Sequence, residues 1–129
     1  MKEILAFIRS NKLSQTKNAL TNAGFPAYTC RKVMGRGKKR IDPALLHLAI
    51  EEEEISSIPV GEYINHTSRL VPKRLFTIIV QDEEVRNVIE TIIEVNSEGN
   101  QGDGKIFVLP IYESIRVRDG QLQTDSETY

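Results

Sequence analysis

A glycine-bracketed acidic turn, Gly102-Asp103-Gly104-Lys105, stands directly before the apolar run 106–109. Glycines can adopt positive φ angles and bring bare N–H groups against an anion, and the lysine adds positive charge. Two further cations, Arg116 and Arg118, follow with a spacing of two, which places both on one face of an extended chain. These residues predict a phosphate site, although a Gly-Asp-Gly sequence before a strand is more often an ordinary turn.

A second group of cations lies nearer the middle of the chain. Gly35-Arg36-Gly37-Lys38-Lys39-Arg40 has four cations in five residues, and Pro72-Lys73-Arg74 adds two more. Such a basic run can also be a nuclear-localisation or nucleic-acid-binding tract. Here the glycines at a predicted strand end and the second basic pair favour a compact polyanion.

Length and composition limit the alternatives. The chain has 129 residues, 40% of them hydrophobic, and a net charge of −1, which fits one packed domain and argues against a general nucleic-acid binder. The single Cys30 and the histidines His47 and His66 lack neighbours at ligand spacing, so we expect no structural metal. The apolar stretches are too short to span a bilayer and no signal-peptide pattern is present, so we expect a cytoplasmic protein.

Hydrophobic periodicity predicts the elements that would position these residues. We expect strands over 2–8, 27–35, 75–80 and 105–111, and a helix after each of two N-cap candidates, Ser10 and Asp82. The order β-α-β-β-α-β predicts an α+β, ferredoxin-like fold, a four-stranded antiparallel sheet with two helices on one face. Residues 114–118 are expected to continue extended, with residues 1–120 as one domain and 121–129 as a polar C-terminal tail.

The other face of this sheet would be uncovered. Three strands are apolar at consecutive positions, as in Ile4-Leu5, Ile78-Ile79 and Phe107-Val108, so both faces would be apolar. Self-association would cover the open face, and the alternative is that the long charged connection folds back over it. We also expect the fourth strand to begin at the opposite end of the sheet from the basic run, so that a shared phosphate site needs two subunits, with Arg116 and Arg118 running back towards the basic run.

The connection between the two basic clusters is about 30 residues long, far longer than a hairpin loop, and loops of that length are generally functional or disordered. Asp42-Pro43 can begin a short helix, and the acidic run Glu51–Glu54 near its C-terminus would leave that helix marginal. We predict a partner-docking element, while a solvated loop is the alternative for the acidic run. The apolar residues expected to dock are Leu45, Leu46, Leu48 and Ile50.

Together these residues resemble the PII signal-transduction family, and most closely its nitrogenase-associated NifI branch. The resemblance covers residues 1 to about 120 except the middle of the long connection, and it implies a trimer that binds ATP or ADP between subunits. It also implies 2-oxoglutarate beside MgATP at the base of a long T-loop, about residues 37–72, which docks on a target or leaves it. The motifs that carry it are Met1-Lys2-Glu3-Ile4, Ala6-Phe7-Ile8-Arg9, Gly24-Phe25-Pro26, Gly35-Arg36-Gly37-Lys38, Pro72-Lys73, Gly99, Gly102-Asp103-Gly104-Lys105-Ile106-Phe107-Val108 and Arg116-Val117-Arg118.

The resemblance implies a role for each matching residue. The glycine turn would hold nucleotide phosphates from one subunit and the two arginines from its neighbour, while Thr29 would lie near the base or ribose. The implied 2-oxoglutarate residues are Gly37, Lys39 and Lys73, of which Lys73 would pair with a carboxylate. The implied nucleotide-binding residues are Thr29, Gly35, Arg36, Gly37, Lys38, Lys73, Gly102, Asp103, Gly104, Lys105, Arg116 and Arg118.

Two positions depart from the family pattern. Lys39 stands where PII members carry a glutamine that helps coordinate the metal between ATP and 2-oxoglutarate, and a protonated lysine is not a metal ligand. Either Lys39 replaces the charge of the ion, or this subunit binds 2-oxoglutarate differently or leaves that step to a companion. The long connection also has no clear match for the tyrosine that is uridylylated in some members, since Tyr63 is the only tyrosine there.

The NifI resemblance implies a regulator rather than an enzyme. Two paralogous chains would act on dinitrogenase, as a homo-trimer or a mixed oligomer, and other targets such as an ammonium transporter or glutamine synthetase stay open. A small nucleotide-hydrolysing enzyme is the alternative of another class, but no poised base accompanies the phosphate motif. An RNA-binding domain would need interleaved aromatic residues, whereas Phe7, Phe76 and Phe107 are single and predicted to be core.

Overall fold

The computed structural model describes residues 1–38 and 70–123 of the chain. Its strands pair antiparallel in the order β2-β3-β1-β4, and both helices lie on one face of the sheet, so the predicted α+β, ferredoxin-like arrangement is confirmed. The predicted helix in the long connection, with Leu45, Leu46, Leu48 and Ile50, lies outside the described residues. The elements are β1 (Lys2–Arg9), α1 (Leu13–Asn22), β2 (Thr29–Gly35), β3 (Val71–Val80), α2 (Val85–Asn96) and β4 (Gly104–Pro110), with short 3-10 turns at Ser10–Lys12 and Asp82–Glu84.

Strand alternation divides the apolar residues between two faces of the sheet. In β1, Ile4, Ala6 and Ile8 are buried on the face that the helices cover, while Leu5 and Phe7 point to the opposite, open face. The core between sheet and helices is completed by α1, β3 and α2, which contribute Leu20, Phe76, Ile78, Val80, Val88 and Ile92. Burial of each such side chain stabilises the fold by about 1.5–3 kcal/mol.

The aromatic residues do not all join that core. Phe76 is fully buried, as predicted, but Phe7 and Phe107 belong to the open face, where their rings meet edge to face with centroids 6.1 Å apart. Phe107 remains 46% exposed. The prediction of core positions is therefore wrong for these two residues, because the register of β1 with β4 places both side chains on the uncovered face.

The two helices are joined by a buried polar contact. The Asn96 side-chain amide of α2 donates hydrogen bonds to Thr16 Oγ1 of α1 at 3.0 Å and to the carbonyl of Ile92 at 2.9 Å. Thr16 Oγ1 in turn donates to the Lys12 carbonyl at 2.7 Å. A buried polar group is costly unless it is hydrogen-bonded, so this series of hydrogen bonds specifies how α1 and α2 align.

Both predicted N-caps are wrong. Ser10 continues the buried face of β1 and makes no capping hydrogen bond, and the chain enters α1 through a 3-10 turn. At α2 the Glu84 carboxylate accepts the Gln81 N–H at 3.1 Å. Asp82 instead accepts a hydrogen bond from the Met1 ammonium at 2.7 Å, a partner 81 residues away that local sequence does not reveal.

The strand register brings the two basic clusters and the glycine turn to one end of the sheet. Arg9 pairs with Lys73, Ile8 with Gly104, and Gly35 with Val71. The expectation that β4 begins at the opposite end is therefore wrong. Gly35 and Gly104 are nevertheless kept apart, because they lie on opposite edge strands three strand spacings apart, about 14 Å.

Residues 114–123 form a small hairpin, which we call the C-terminal hairpin. Ile115 and Leu122 form an isolated antiparallel bridge, and the Gly120 N–H donates to the Arg116 carbonyl at 2.7 Å. The prediction of a continuous extended segment through Arg118 is therefore wrong, since the chain turns within 116–120, where Gly120 adopts a φ of 67°. The hairpin follows β4 at Pro110, which pairs with Lys2, so it starts from the sheet end opposite the basic run.

Candidate anion-binding site

Gly104 brings the glycine turn against β1. A Cβ atom at this position would collide with the backbone oxygen of Phe7, and the residue has a φ of 134°, a conformation that other residues rarely adopt. Gly102 also has a positive φ of 94°, and a Cβ atom there would lie 3.4 Å from Arg9 Nη2. Close approach of the β4 backbone to that of β1 therefore requires glycine at position 104 even without a ligand.

The Asp103 carboxylate stabilises the turn by accepting hydrogen bonds from its backbone. Its Oδ2 accepts the backbone N–H groups of Glu98 at 2.8 Å and Asn100 at 3.1 Å. Hydrogen bonding from the Glu98 N–H is the main cause that lowers the pKa of Asp103, with further lowering by the Asn100 N–H and the positive charge of Arg9. The ordinary-turn alternative thus accounts for Asp103, and a direct contact with a phosphate stays a prediction.

Arg9, which is not among the predicted site residues, attaches this turn to the end of β1. Its Nη1 lies 3.0 Å from Glu98 Oε2 and 2.9 Å from Asp103 Oδ1, and its Nη2 donates to the Gln101 carbonyl at 3.2 Å. Lys12 Nζ holds the other oxygen of Glu98 at 2.9 Å, and its hydrogen bond is the main cause that lowers the pKa of Glu98. A cation that ends the open-face series Leu5, Phe7, Arg9 was the signal available in the sequence.

Lys73 lies beside Arg9 on the open face, as its cross-strand neighbour. Its stem packs on β2, with Cδ 3.7 Å from the place where a Cβ of Gly35 would be. Burial first, and then the positive charge of Arg9, lowers the pKa of the Lys73 ammonium. Within the described ranges no carboxylate forms an ion pair with Lys73, so an anionic ligand would stabilise its charged form.

Lys105 completes a row of cations at this end of the open face. It pairs with Phe7 across β1 and β4, and its ammonium lies 5.9 Å from the centroid of the Phe107 ring. Arg9, Lys73 and Lys105 thus lie on three adjacent strands, with the exposed ring of Phe107 beside them. This row can attract an anion that carries an apolar or aromatic group.

A separate apolar groove of about 440 Å³ runs between α2 and β4. Ile89, Ile93 and Val108 line it, and it reaches the backbone of the glycine turn at one end. The groove lies on the helix-covered face, so the sheet separates it from the Arg9 and Lys73 side chains. The candidate site formed by Arg9 and Lys73 therefore lies on the other side of the sheet from this groove, although Lys105 also borders the groove.

The predicted site residues of β2 and of the segment after it lie at both ends of that strand. Gly35 ends β2 at the basic end of the sheet, and Arg36, Gly37 and Lys38 continue from it as exposed residues. Thr29 begins β2 at the other end, about 20 Å away by strand rise. Lys39 lies outside the described residues.

Arg116 and Arg118 belong to the C-terminal hairpin, which starts from the end of the sheet opposite the cation row. Arg118 is exposed, whereas the Arg116 guanidinium forms an ion pair with Asp119. One chain therefore gathers the glycine turn, Lys73 and Lys105 in one region. It places Thr29 and the two arginines at the other end of the sheet, with Thr29 on the edge strand β2 and the arginines after the opposite edge strand β4.

Comparison with known proteins relates this arrangement to a family. The family model "Nitrogen regulatory protein P-II" matches residues 1–121. The chain is 43% identical over 121 residues to "Nitrogen fixation nifHD region glnB-like protein 2" of Methanococcus maripaludis, covering 94% of this chain and 95% of that protein. The chain is also 43% identical over 122 residues to "Nitrogen fixation nifHD region GlnB-like protein 2" of Methanothermococcus thermolithotrophicus, and the match covers 94% of both chains. It is 36% identical over 121 residues to "GlnB-like protein 1" of the same organism, covering 94% of this chain and 97% of the relative.

Proposed function

Because this chain belongs to the nitrogen regulatory P-II family, whose members are signalling regulators and not enzymes, we propose that it senses ATP, ADP and 2-oxoglutarate and controls a target through its T-loop. It is a PII-like nitrogen regulatory protein of the nifHD-region, GlnB-like kind. The regulatory unit would comprise residues 1–120 and act in the cytoplasm. No helix in residues 1–38 and 70–123 is long and apolar enough to cross a membrane.

The separation of the cations within one chain carries the proposal. The glycine turn, Lys73 and Lys105 lie at one end of the sheet, while Arg116 and Arg118 follow from the other. In a closed ring of identical subunits, one end of a chain can face the other end of its neighbour. Each cleft of the proposed trimer would then receive the glycine turn from one subunit and Arg116 and Arg118 from the next, with Thr29 near the base or ribose.

The second effector, 2-oxoglutarate, would bind at Lys73. This half-buried ammonium is paired with no carboxylate in the described ranges, and the neighbouring Arg9 raises the cost of its charge. A dicarboxylate placed here would offset both effects. Gly37 and Lys39 would lie on the loop side of the same ligand, and Mg²⁺ would arrive with the triphosphate.

We propose dinitrogenase as the target, because the relatives are named for the nifHD region. An ammonium transporter or glutamine synthetase would be regulated by the same docking principle. One organism carries relatives named protein 1 and protein 2, and this chain is more similar to protein 2. A mixed oligomer with a paralogous chain is therefore proposed beside the homo-trimer.

Calorimetric titration with ATP, ADP and 2-oxoglutarate, alone and in combination, tests the proposal on protein whose solution mass has been determined. We expect a mass of three copies of the 14.6 kDa chain, saturable binding of both nucleotides, and tighter 2-oxoglutarate binding in the presence of MgATP. A monomer that binds neither nucleotide at millimolar concentration would refute it. GTP serves as the control nucleotide of equal charge.

A further inference from the structure

Arg116 is engaged by a carboxylate of its own hairpin. Its Nε lies 3.1 Å from both oxygens of Asp119, and its Nη2 donates to Asp119 Oδ2 at 2.6 Å. The Gln121 side-chain oxygen lies 3.4 Å from the same Nη2. The Nε/Nη2 edge of the guanidinium, one of the two edges that can bind an oxyanion in bidentate fashion, is therefore occupied.

The turn itself keeps Asp119 in this place. Asp119 Oδ1 also accepts the Gln121 N–H at 3.1 Å, while the Arg116 N–H donates to the Gln121 carbonyl at 2.9 Å. Hydrogen bonding from Arg116, and next from Gln121, lowers the pKa of Asp119, so its carboxylate is ionised at neutral pH. Arg116 and Asp119 together carry no net charge, and the pair forms within one turn with little loss of chain entropy.

We propose that Asp119 is an affinity-setting residue, which occupies the Arg116 guanidinium in the nucleotide-free protein and must be displaced by the nucleotide's phosphates. This inference rests on the proposed function, in which Arg116 faces the nucleotide bound to the neighbouring subunit. Carboxylate and phosphate oxygens compete for the same N–H donors, and a carboxylate left beside a polyphosphate repels it. Asp119 therefore weakens nucleotide binding, and the Arg116–Asp119 ion pair forms again when the nucleotide dissociates.

The test compares Asp119→Asn with the wild-type protein by calorimetric titration with ATP at fixed ionic strength. Asparagine keeps the side-chain oxygen that accepts the Gln121 N–H and removes the charge that holds Arg116. We expect ATP to bind about two- to five-fold more tightly, the range of an exposed or partly exposed ion pair. Glu113→Gln is the matched control, since it removes the same charge from an exposed residue that forms no ion pair in the described part of the chain, and its affinity should not change.

Measuring Asp119→Asn in an Arg116→Gln variant separates competition for the arginine from a general effect of removing one negative charge. In Arg116→Gln protein, Asp119→Asn should raise the ATP affinity by clearly less than it does in the wild-type background, because the donor for which the carboxylate competes is gone and only the repulsion of the phosphates is relieved. An equal gain in that background would overturn the inference, as would unchanged or weaker binding by Asp119→Asn alone. If ligand-free melting shows that the asparagine variant is unfolded, Asp119→Ser replaces it and the same expectations apply. Wild-type protein that binds no ATP would instead refute the proposed function.

Discussion

A side chain at position 104 would collide with the backbone oxygen of Phe7, so the glycine that looked like a ligand residue is first a packing residue. Asp103 is similar, because its carboxylate is used by the N–H groups of Glu98 and Asn100. The turn is thus built before a ligand arrives, which lowers the entropy cost of binding. The residues predicted to bind phosphate are thus the same ones that fix the shape of the turn.

Gly104→Ala should therefore destabilise the protein without any ligand. A Cβ collision with backbone combined with a φ of 134° is expected to lower the free energy of unfolding by about 2–4 kcal/mol. Urea denaturation at fixed protein concentration measures it. Gly37→Ala is the control, because no atom of residues 1–38 and 70–123, its chain neighbours aside, lies within 4 Å of its Cβ position, and equal loss in both variants would contradict the packing role.

The loss of the protein's stability at low pH should depend on Asp103. Its pKa is lowered in the folded protein, so its stabilising effect is complete above the unfolded value of about 3.9 and is lost as pH falls through the lower folded value. Melting temperatures between about pH 2.5 and 7 should fall less steeply below pH 4 for Asp103→Asn than for wild type. Parallel curves for the two proteins would rule this out, and Glu113→Gln should follow wild type.

At the level of secondary structure, β1 does more than supply the centre of the sheet. Its last residue, Arg9, reaches both carboxylates of the segment that precedes β4, and the Lys12 ammonium secures one of them from the start of α1. A short segment without regular structure is in this way attached to two rigid elements. Its position is set by ion pairs that are only partly exposed, on the Arg9 and Asp103 sides in particular.

Arg9→Gln should loosen that segment. Amide hydrogen exchange over residues 98–103 is expected to accelerate, and ATP affinity to fall by about ten-fold, because charge-assisted hydrogen bonds that hold the turn are lost. Exchange measured by mass spectrometry and calorimetric titration provide the two readouts. Arg86→Gln, which breaks the exposed Arg86–Glu90 pair of α2, should change neither, and unchanged exchange in Arg9→Gln would exclude the positioning role.

At the scale of the whole molecule, the open apolar face and the separation of the predicted site residues both favour the proposed association of copies. The apolar residues of that face include Phe107 and Leu109, and they stay partly exposed in the single chain. Val117 of the C-terminal hairpin is 97% exposed. Association of copies would bury such surface and, in the proposed trimer, would also bring the two halves of each site together.

Complementation between two inactive variants tests the shared site. Lys105→Ala and Arg118→Ala should each abolish most ATP binding in a uniform oligomer. When the two are co-expressed and assort at random, about one cleft in four contains both wild-type side chains and should bind ATP again. Mixtures that stay inactive would contradict a site between subunits, and co-expression of Lys105→Ala with Lys105→Gln is the control that should restore nothing.

Local sequence determined the parts of this protein that depend on near neighbours. Strand and helix periodicity, the two apolar faces and the glycine turn are all properties of contiguous residues, and the structure contains them with element ends shifted by a few positions. Residues 71–74 were predicted to precede the third strand, yet they belong to β3, because pairing with both β1 and β2 extends it.

Tertiary structure alone decided the features that depend on strand register and on partners distant in sequence. The meeting of Arg9, Lys73 and the glycine turn at one end of the sheet, the use of Asp82 by the Met1 ammonium, and the reversal of the C-terminal hairpin join residues that no local pattern relates. Sequence periodicity specifies which face a side chain occupies, but which strand lies beside it depends on the packing of the whole chain.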